Sequence, residues 1–381
     1  MRAPRSVART LAMARKEGLH ILRDWRSLLM ALAVPALMLL LFGYALTLDV
    51  DRIPTLIYDH DKTPQSRELI ARFAGSRYFQ ILGSAEDYGA IERQINGGQC
   101  LLAVVIPRGY ARDILSSQEA QVQLILDGSD SNTASIALSY AEALSRVYAF
   151  ELRSKALNRK GGGRLDQPVD AQLRVWYNSE LQSRNYIVPG LIAVILMIIS
   201  AMLTSLTIAR EWENGSMEQL LSTPVRAHEI VLGKMLAYFA LGITDTVVAI
   251  GVGVFLFGVP LRGNPLLVML TSCIFLVGAL FWGIFLSAVT RNQLMAYQMG
   301  MLTSFLPAFL LSGFVFAIEN MPIVIQVVSY VFPSRYFITI LKGLFLKGVG
   351  LDVLWLEVTL LVVYALVLFS AATWKLKQKI A

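Results

Sequence analysis

Long uncharged runs alternate with mixed polar segments along this chain, and the alternation sets its architecture. A helix needs ~20 largely apolar residues to cross a bilayer. Six runs reach that length: residues 28–48, 186–208, 235–257, 266–289, 294–316 and 353–374. Backbone groups facing lipid have no water to bond, so such runs must satisfy themselves as helices. The pattern predicts an α-helical polytopic membrane protein with six transmembrane helices.

Between the first and second runs the pattern changes. Residues 49–184 read as strands near 54–58, 78–82, 101–107 and 122–127, with helices near 64–74, 85–96, a short one ending at Ser116, and a long one over about 132–158. Strands alternating with helices predict an extracytoplasmic α/β domain with a largely parallel sheet. The long helix is apolar at helical intervals but carries Glu142, Arg146, Glu151 and Arg153, which excludes it as a span. A glycine triplet inside residues 160–164 predicts a flexible break, and a last strand near 172–177 leads back to the membrane.

Two further segments are amphipathic or broken. In residues 1–27, Val7, Leu11, Ala14, Ile21, Leu22 and Trp25 recur at helical spacing among Arg and Lys. That spacing predicts a helix lying flat in the cytoplasmic headgroup layer. Residues 317–350 are apolar yet divided by Pro322 and Pro333, with Arg335 following directly. Pieces of about eleven residues are too short to span. They predict a re-entrant helix–turn–helix with Tyr330, Phe332, Tyr336 and Phe337 at headgroup depth.

Charge then fixes an expected orientation. Arg2, Arg5, Arg9, Arg15, Lys16, Arg23 and Arg26 precede the first run, and Lys375, Lys377 and Lys379 follow the last. The positive-inside rule places both termini in the cytoplasm. Residues 49–184 hold 16 basic and 17 acidic residues, so the net charge of +7 belongs to the membrane half. An anionic lipid surface accounts for it, and no nucleic-acid partner is needed. The first run is too long for a signal-peptide core and lacks a small-residue cleavage pattern, which predicts a retained anchor. Cys100 and Cys273 fall in different compartments on this topology, so no disulfide between them is expected.

Candidate chemistry is sparse. The chain has no GxxxxGK[ST], HExxH, CxxC or GxSxG motif, and His20, His60 and His228 are far apart. Neither nucleotide hydrolysis by a P-loop, nor catalytic residues, nor a bound metal is expected. Asp245 is the one acid deep in a predicted span. It is either a functional group facing the bundle interior or water, or a carboxyl paired with Thr244 or Thr246. Residues 210–224, REWENGSMEQLLSTP, join two spans. Gly215 breaks the descending helix, Ser216 and Gln219 suit an S-x-x-Q capping box, Glu218 favours the helix N-terminus, and Pro224 enforces a stop. The signals predict a stiff turn over 217–223 that projects Met217, Leu220 and Leu221. Such a turn serves either as a docking element for a partner's groove or as an elbow at the membrane surface.

The chain resembles the type-two ABC exporter permease family over nearly its whole length. The resemblance rests on FGYAL near the end of the first span, VPG at 188–190, AREWENGSMEQLLSTP, TRNQ at 290–293, LSGFVFAIENMP at 311–322 and FPSRYF at 332–337. Arg210, Glu211, Glu213, Gly215, Ser216, Glu218, Leu220, Thr223 and Pro224 match the family signature, with Ser216 where threonine is usual. The resemblance implies two permeases, identical or related, around a central path in a bacterial inner membrane. Each would contact an ABC ATPase subunit through residues 210–224, with the N-terminal helix bracing the same ATPase. No cofactor is bound by the chain itself, and ATP acts through the partner. The large outer domain resembles the multidrug branch, which implies a periplasmic adaptor, an outer-membrane channel and export of drugs or other hydrophobic or amphiphilic molecules. The competing expectations are a lipid or polysaccharide export permease, an ATPase-independent secondary carrier or channel, and a non-transporting anchor for the outer domain. A carrier calls for several intramembrane charges or broken helices in matching halves, and Asp245 alone falls short.

Overall fold

The computed structural model describes residues 5–45, 52–116, 118–159, 176–178 and 182–380. The chain divides into two compact units, Asp49–Leu173 and the remainder. The predicted glycine-rich break at 160–164 and most of the predicted strand at 172–177 lie outside the described residues. Tyr177, at the end of that predicted strand, is in a bend with φ 72° rather than in extended backbone.

The larger unit opens with α1 (Arg5–Arg23) and α2 (Trp25–Ala45). The inward face of α1 carries Met13 and Glu17, both buried, while Val7, Leu11 and Leu22 are exposed. Most of its apolar stripe therefore turns away from the bundle, while Ile21 packs half-buried in the same cluster as Met13. Within α2 the described apolar stretch is Ala31–Ala45. That is shorter than the predicted run 28–48, whose last residues lie outside the described set.

The smaller unit runs β1 (Ile53–Asp59), α3 (Pro64–Ala74), β2 (Phe79–Ser84), α4 (Tyr88–Asn96), β3 (Leu102–Ile106), α5 (Tyr110–Leu115), β4 (Gln123–Leu126) and α6 (Ser131–Arg159). The strands lie in the order β2-β1-β3-β4. β1 pairs in parallel with β2 and β3, and only β4 is antiparallel. Every residue of β3 is buried because helices cover both faces, which is why LAVVI reads as an unbroken apolar run. Leu69 and Phe73 of α3 join Ala137, Ala141 and Tyr148 of α6 on one face, and Ile91 of α4 packs with Cys100 on the other. α4 begins three residues later than the pattern predicts, because the Asp87 carboxylate accepts from the Ala90 N–H and caps it there. Both cysteines are free.

The larger unit resumes with α7 (Ser183–Glu213), α8 (Ser216–Leu221) and α9 (Ala227–Gly251), the last extended by a π-turn at Val252–Leu256. Then come α10 (Pro265–Thr290) and α11 (Gln293–Leu306), with a second π-turn at Pro307–Leu311. α12 (Ile323–Ser329), α13 (Pro333–Lys342) with a π-turn at Gly343–Lys347, and α14 (Leu351–Ile380) complete the chain. Among the described residues five helices are long and apolar enough to span a membrane, or six if α12 and α13 count as one span bent by 86°. The predicted run 294–316 stops as a helix at Leu311, because Gly313 takes a left-handed φ of 80° and the chain turns away.

α7 is the axis of this bundle. Its residues Ile187–Ala201 are buried on every side, which is the placement an all-round apolar helix requires. Between apolar helices, polar groups supply the specific contacts. Thr204 donates to the Leu280 carbonyl of α10 at 3.0 Å, and the Ser287 hydroxyl accepts from the Ala209 N–H at 2.8 Å. Of the FPSRYF aromatics, Phe337 turns onto the bundle. It is fully buried and stacks on Phe275 of α10 with ring centroids 4.1 Å apart. The periodicity of α13 turns Phe337 onto the bundle core, while Tyr330 before the bend remains exposed.

Candidate functional site

The descending helix α7 ends at Glu213, and Gly215 makes the corner with φ 71°, a left-handed conformation that costs other residues roughly 1–2 kcal/mol. The Gly215 conformation places Ser216 already inside α8 rather than at its cap. The expected capping box is not formed: the helix has no side-chain cap, Gln219 is exposed, and the Ser216 hydroxyl donates to the Glu211 carboxylate at 2.5 Å. The corner is held from behind, by α7.

Met217 also departs from expectation. It is buried, and Leu220 and Leu221 pack half-buried against the same cluster, which includes Ile208, Ile230, Ile284 and Leu376. The apolar side of α8 therefore faces the bundle. Its outward side is polar, comprising Glu218, Gln219, Ser222, Thr223 and Pro224. The Ser222 and Thr223 hydroxyls donate back to the carbonyls of Gln219 and Leu220, at 2.8 and 2.5 Å. Those bonds fold the end of the short helix back on itself, the Leu220 carbonyl also accepting from the Thr223 N–H at 3.2 Å.

Glu211 is the centre of the corner. Its carboxylate accepts from Ser216, from Lys16 of α1 at 2.8 Å and from Lys234 of α9 at 3.3 Å. Lys234 is 1 % exposed and binds Glu17 of α1 at 2.5 Å and the Thr207 carbonyl of α7 at 3.3 Å. A cation buried to that extent persists only when paired and hydrogen-bonded. Here Glu17 of α1 does so together with Glu211 and the Thr207 carbonyl of α7. One cluster thus joins α1, α7, α8 and α9. α1 lies close enough for this because residue 233 is glycine: a Cβ there would come 2.6 Å from that of Met13.

The neighbouring signature residues make their own ties. Arg210 meets the His20 ring at 3.1 Å. Glu213 accepts from the backbone N–H of Gln293 at 3.2 Å and from its side-chain amide at 2.8 Å. Arg291 covers the Trp212 ring at 4.3 Å. The TRNQ segment, far away in sequence, thus packs directly on the REWE segment. Arg9 and Glu229 stand 3.9 Å apart at the edge.

Asp245 is not part of this corner. It lies eleven residues beyond Lys234 on α9, about 16 Å along the helix at ~1.5 Å per residue. It is 3 % exposed, and its Oδ1 has no hydrogen-bond partner among the described residues. Of the two alternatives for Asp245, the pairing with Thr244 or Thr246 is not seen, and both hydroxyls bond backward to carbonyls of their own helix. Among the described residues no three His, Cys, Asp or Glu side chains gather as a metal site.

Sequence reasoning singled out Arg210 to Pro224 but missed Glu17, His20, Lys234, Arg291 and Gln293 as its partners. Only Lys234 left a signal. A lysine on the buried face of an apolar helix must find a carboxylate, and Lys234 finds Glu17 and Glu211.

Residues 25–374 match the model of the ABC-2 family transporter proteins. The chain belongs to that family, the permease subunits of ABC exporters, and is a multi-pass membrane protein. Membership implies an ABC ATPase partner and pairing of permeases. Among its relatives, the probable multidrug ABC transporter permease YbhS of Escherichia coli is 35 % identical over 97 % of both chains. The probable multidrug ABC transporter permease YbhR of the same organism is 31 % identical over 98 % of this chain and 99 % of its own. The inner membrane transport permease YhhJ is 24 % identical over 86 % of each.

Proposed function

We propose that this permease exports drugs or other hydrophobic and amphiphilic molecules across a bacterial inner membrane, with ATP hydrolysed by a separate ABC ATPase that grips residues 210–224. Both termini lie in the cytoplasm on this reading, and residues 49–184 lie outside. A periplasmic adaptor and an outer-membrane channel extend the route. The observation that carries the reading is the Glu211 cluster. α8 is a six-residue helix with a polar outer face, and through Ser216 and Glu211 it is tied to three longer elements, so a push on it is delivered to α1, α7 and α9 together.

The work comes from unequal contacts of α8 with two ATPase states, since a partner that grips both equally shifts nothing. ATP binding closes the ATPase pair and displaces α8, and the rigid helices open a path between two permeases. The polar outer face makes Glu218, Gln219 and the Ser222–Pro224 edge the contact. Met217, Leu220 and Leu221 anchor the turn from below. Replacing Glu218 and Gln219 by Ala is predicted to weaken ATPase co-purification at least tenfold while the permease still folds. Undiminished co-purification and undiminished export by that variant would remove the coupling role.

A further inference from the structure

The opposite end of the bundle from α8 holds a second polar cluster built from three separate elements. Tyr186 stands in the first turn of α7, Gly313 follows the π-turn that ends α11, and Lys342 is the last residue of α13. The Lys342 ammonium lies 3.5 Å from the centroid of the Tyr186 ring and donates to the Gly313 carbonyl at 3.0 Å. The Tyr186 hydroxyl donates to that same carbonyl at 2.9 Å, which holds ring and carbonyl as one unit. A ring face and a carbonyl oxygen are components that recognise ammonium groups.

We infer that the Tyr186 face and the Gly313 carbonyl form an organic-cation site, which Lys342 fills in this state and which the ammonium of a small exported molecule fills in its place. Three features support a removable plug over a fixed structural pair. Lysine presents a point charge on a flexible stem with rotatable donors, so it can withdraw without disturbing its neighbours. Tyr186 is 38 % exposed, so the site is reachable from outside the bundle. All three π-turns of the described chain lie at this end, and two of them, at Pro307–Leu311 and Gly343–Lys347, directly flank Gly313 and Lys342. Such turns are weak points of helices and recur at functional sites. The turn that carries the Gly313 carbonyl is braced on α7: the Phe314 side chain packs where a Cβ on Gly190 would lie. Withdrawal of Lys342 would also remove the tie its ammonium makes between α13 and Tyr186 of α7.

The inference rests on the export reading for its biological meaning, but its test does not use transport. Full-length protein in nanodiscs without ATP is titrated with benzyltrimethylammonium and, separately, with its neutral isostere neopentylbenzene. Removing the tethered competitor in Lys342→Met is predicted to tighten benzyltrimethylammonium binding about tenfold, while Lys342→Arg retains a competing cation and stays near wild type. In the Lys342→Met background, Tyr186→Phe keeps the gain and Tyr186→Leu loses it. Neopentylbenzene binds all forms alike. Equal affinity of wild type and Lys342→Met, a gain shared by the neutral isostere, or indifference to Tyr186→Leu would each overturn the site. Elution of each variant at the wild-type position in size exclusion separates these results from misfolding. Failure here leaves ATPase co-purification untouched, so it is distinguishable from failure of the coupling role.

Discussion

Single residues carry unequal weight at the Glu211 corner, and burial decides which matter. Lys16 and Lys234 both bind Glu211, but the side chain of the first is 54 % exposed and that of the second 1 %. An exposed pair is worth about 0–1 kcal/mol, whereas stripping one partner from a buried pair costs roughly 3–5 kcal/mol. Lys16→Ala is therefore predicted to leave the thermal midpoint of the detergent-solubilised protein within a degree or two. Glu211→Ala, which leaves Lys234 leaning on Glu17 alone, is predicted to lower it by several degrees, and equal shifts would contradict the assignment. In the smaller unit Asp61 offers a pH test. Its carboxyl is held below the usual carboxylate range by the Thr63 hydroxyl and by the N–H groups of Ala111 and Gly109, against a smaller opposing effect of burial. A depressed folded pKa contributes stability that is complete above about 3.9 and lost as pH falls through the folded value. Hydrogen exchange of β1, α3 and α5 is thus predicted to be faster in Asp61→Asn than in wild type at pH 7. The two should converge on acidification below pH 4. A difference independent of pH would assign the effect to packing.

Among the elements, α8 shows what was legible in the sequence and what was not. Gly215 makes the corner as read, because left-handed backbone is a local property of glycine, but the helix ends at Leu221, two residues short of the expected Thr223 and before Pro224 is reached. The partner of Ser216 was illegible, since choosing Glu211 over a cap depends on how the corner folds back on α7. The face of Met217 was illegible for the same reason: a six-residue helix with apolar positions gives no direction until its neighbours are placed. In α1 the apolar stripe of Val7, Leu11 and Leu22 is plain in the sequence, yet the face that packs on α9 is a different one, carrying Met13 and Glu17. Hydropathy finds the stripe turned away from the bundle more readily than the contact. The α/β order from β1 to α6 was readable, because strands and helices alternate there with clear breaks, whereas most of the last predicted strand lies outside the described residues. The number of spans was less so, since the 86° bend between α12 and α13 comes from Pro333 and from Arg335, which stacks on Tyr330 at 3.8 Å. The α1–α9 crossing makes an element-scale prediction. Gly233→Leu should push α1 off α9 and expose Met13, measurable as faster modification of a cysteine placed at residue 13 in a cysteine-free background. Unchanged reactivity would show that α1 is not seated through that glycine.

For the molecule as a whole, the family assignment and the corner give complementary information. Likeness over nearly the full length of YbhS and YbhR establishes a permease of the ABC-2 family, and the geometry says how force would enter it. The outward face of α8 is polar, so the contact with an ATPase is predicted to weaken with salt, as exposed charge contacts do. Raising ionic strength from low to about 1 M, where screening acts within ~3 Å, should release the ATPase from the wild-type protein. A complex unaffected by salt would point to an apolar contact instead. The most direct measurement of the central claim is site-specific cross-linking in native membranes. A photoreactive benzoylphenylalanine at Gln219 should capture the ABC ATPase subunit, with a yield that changes between the nucleotide-free and vanadate-trapped states. Cross-links to lipid alone, or labelling of a cysteine at residue 219 by an impermeant maleimide applied from the outer face, would contradict it.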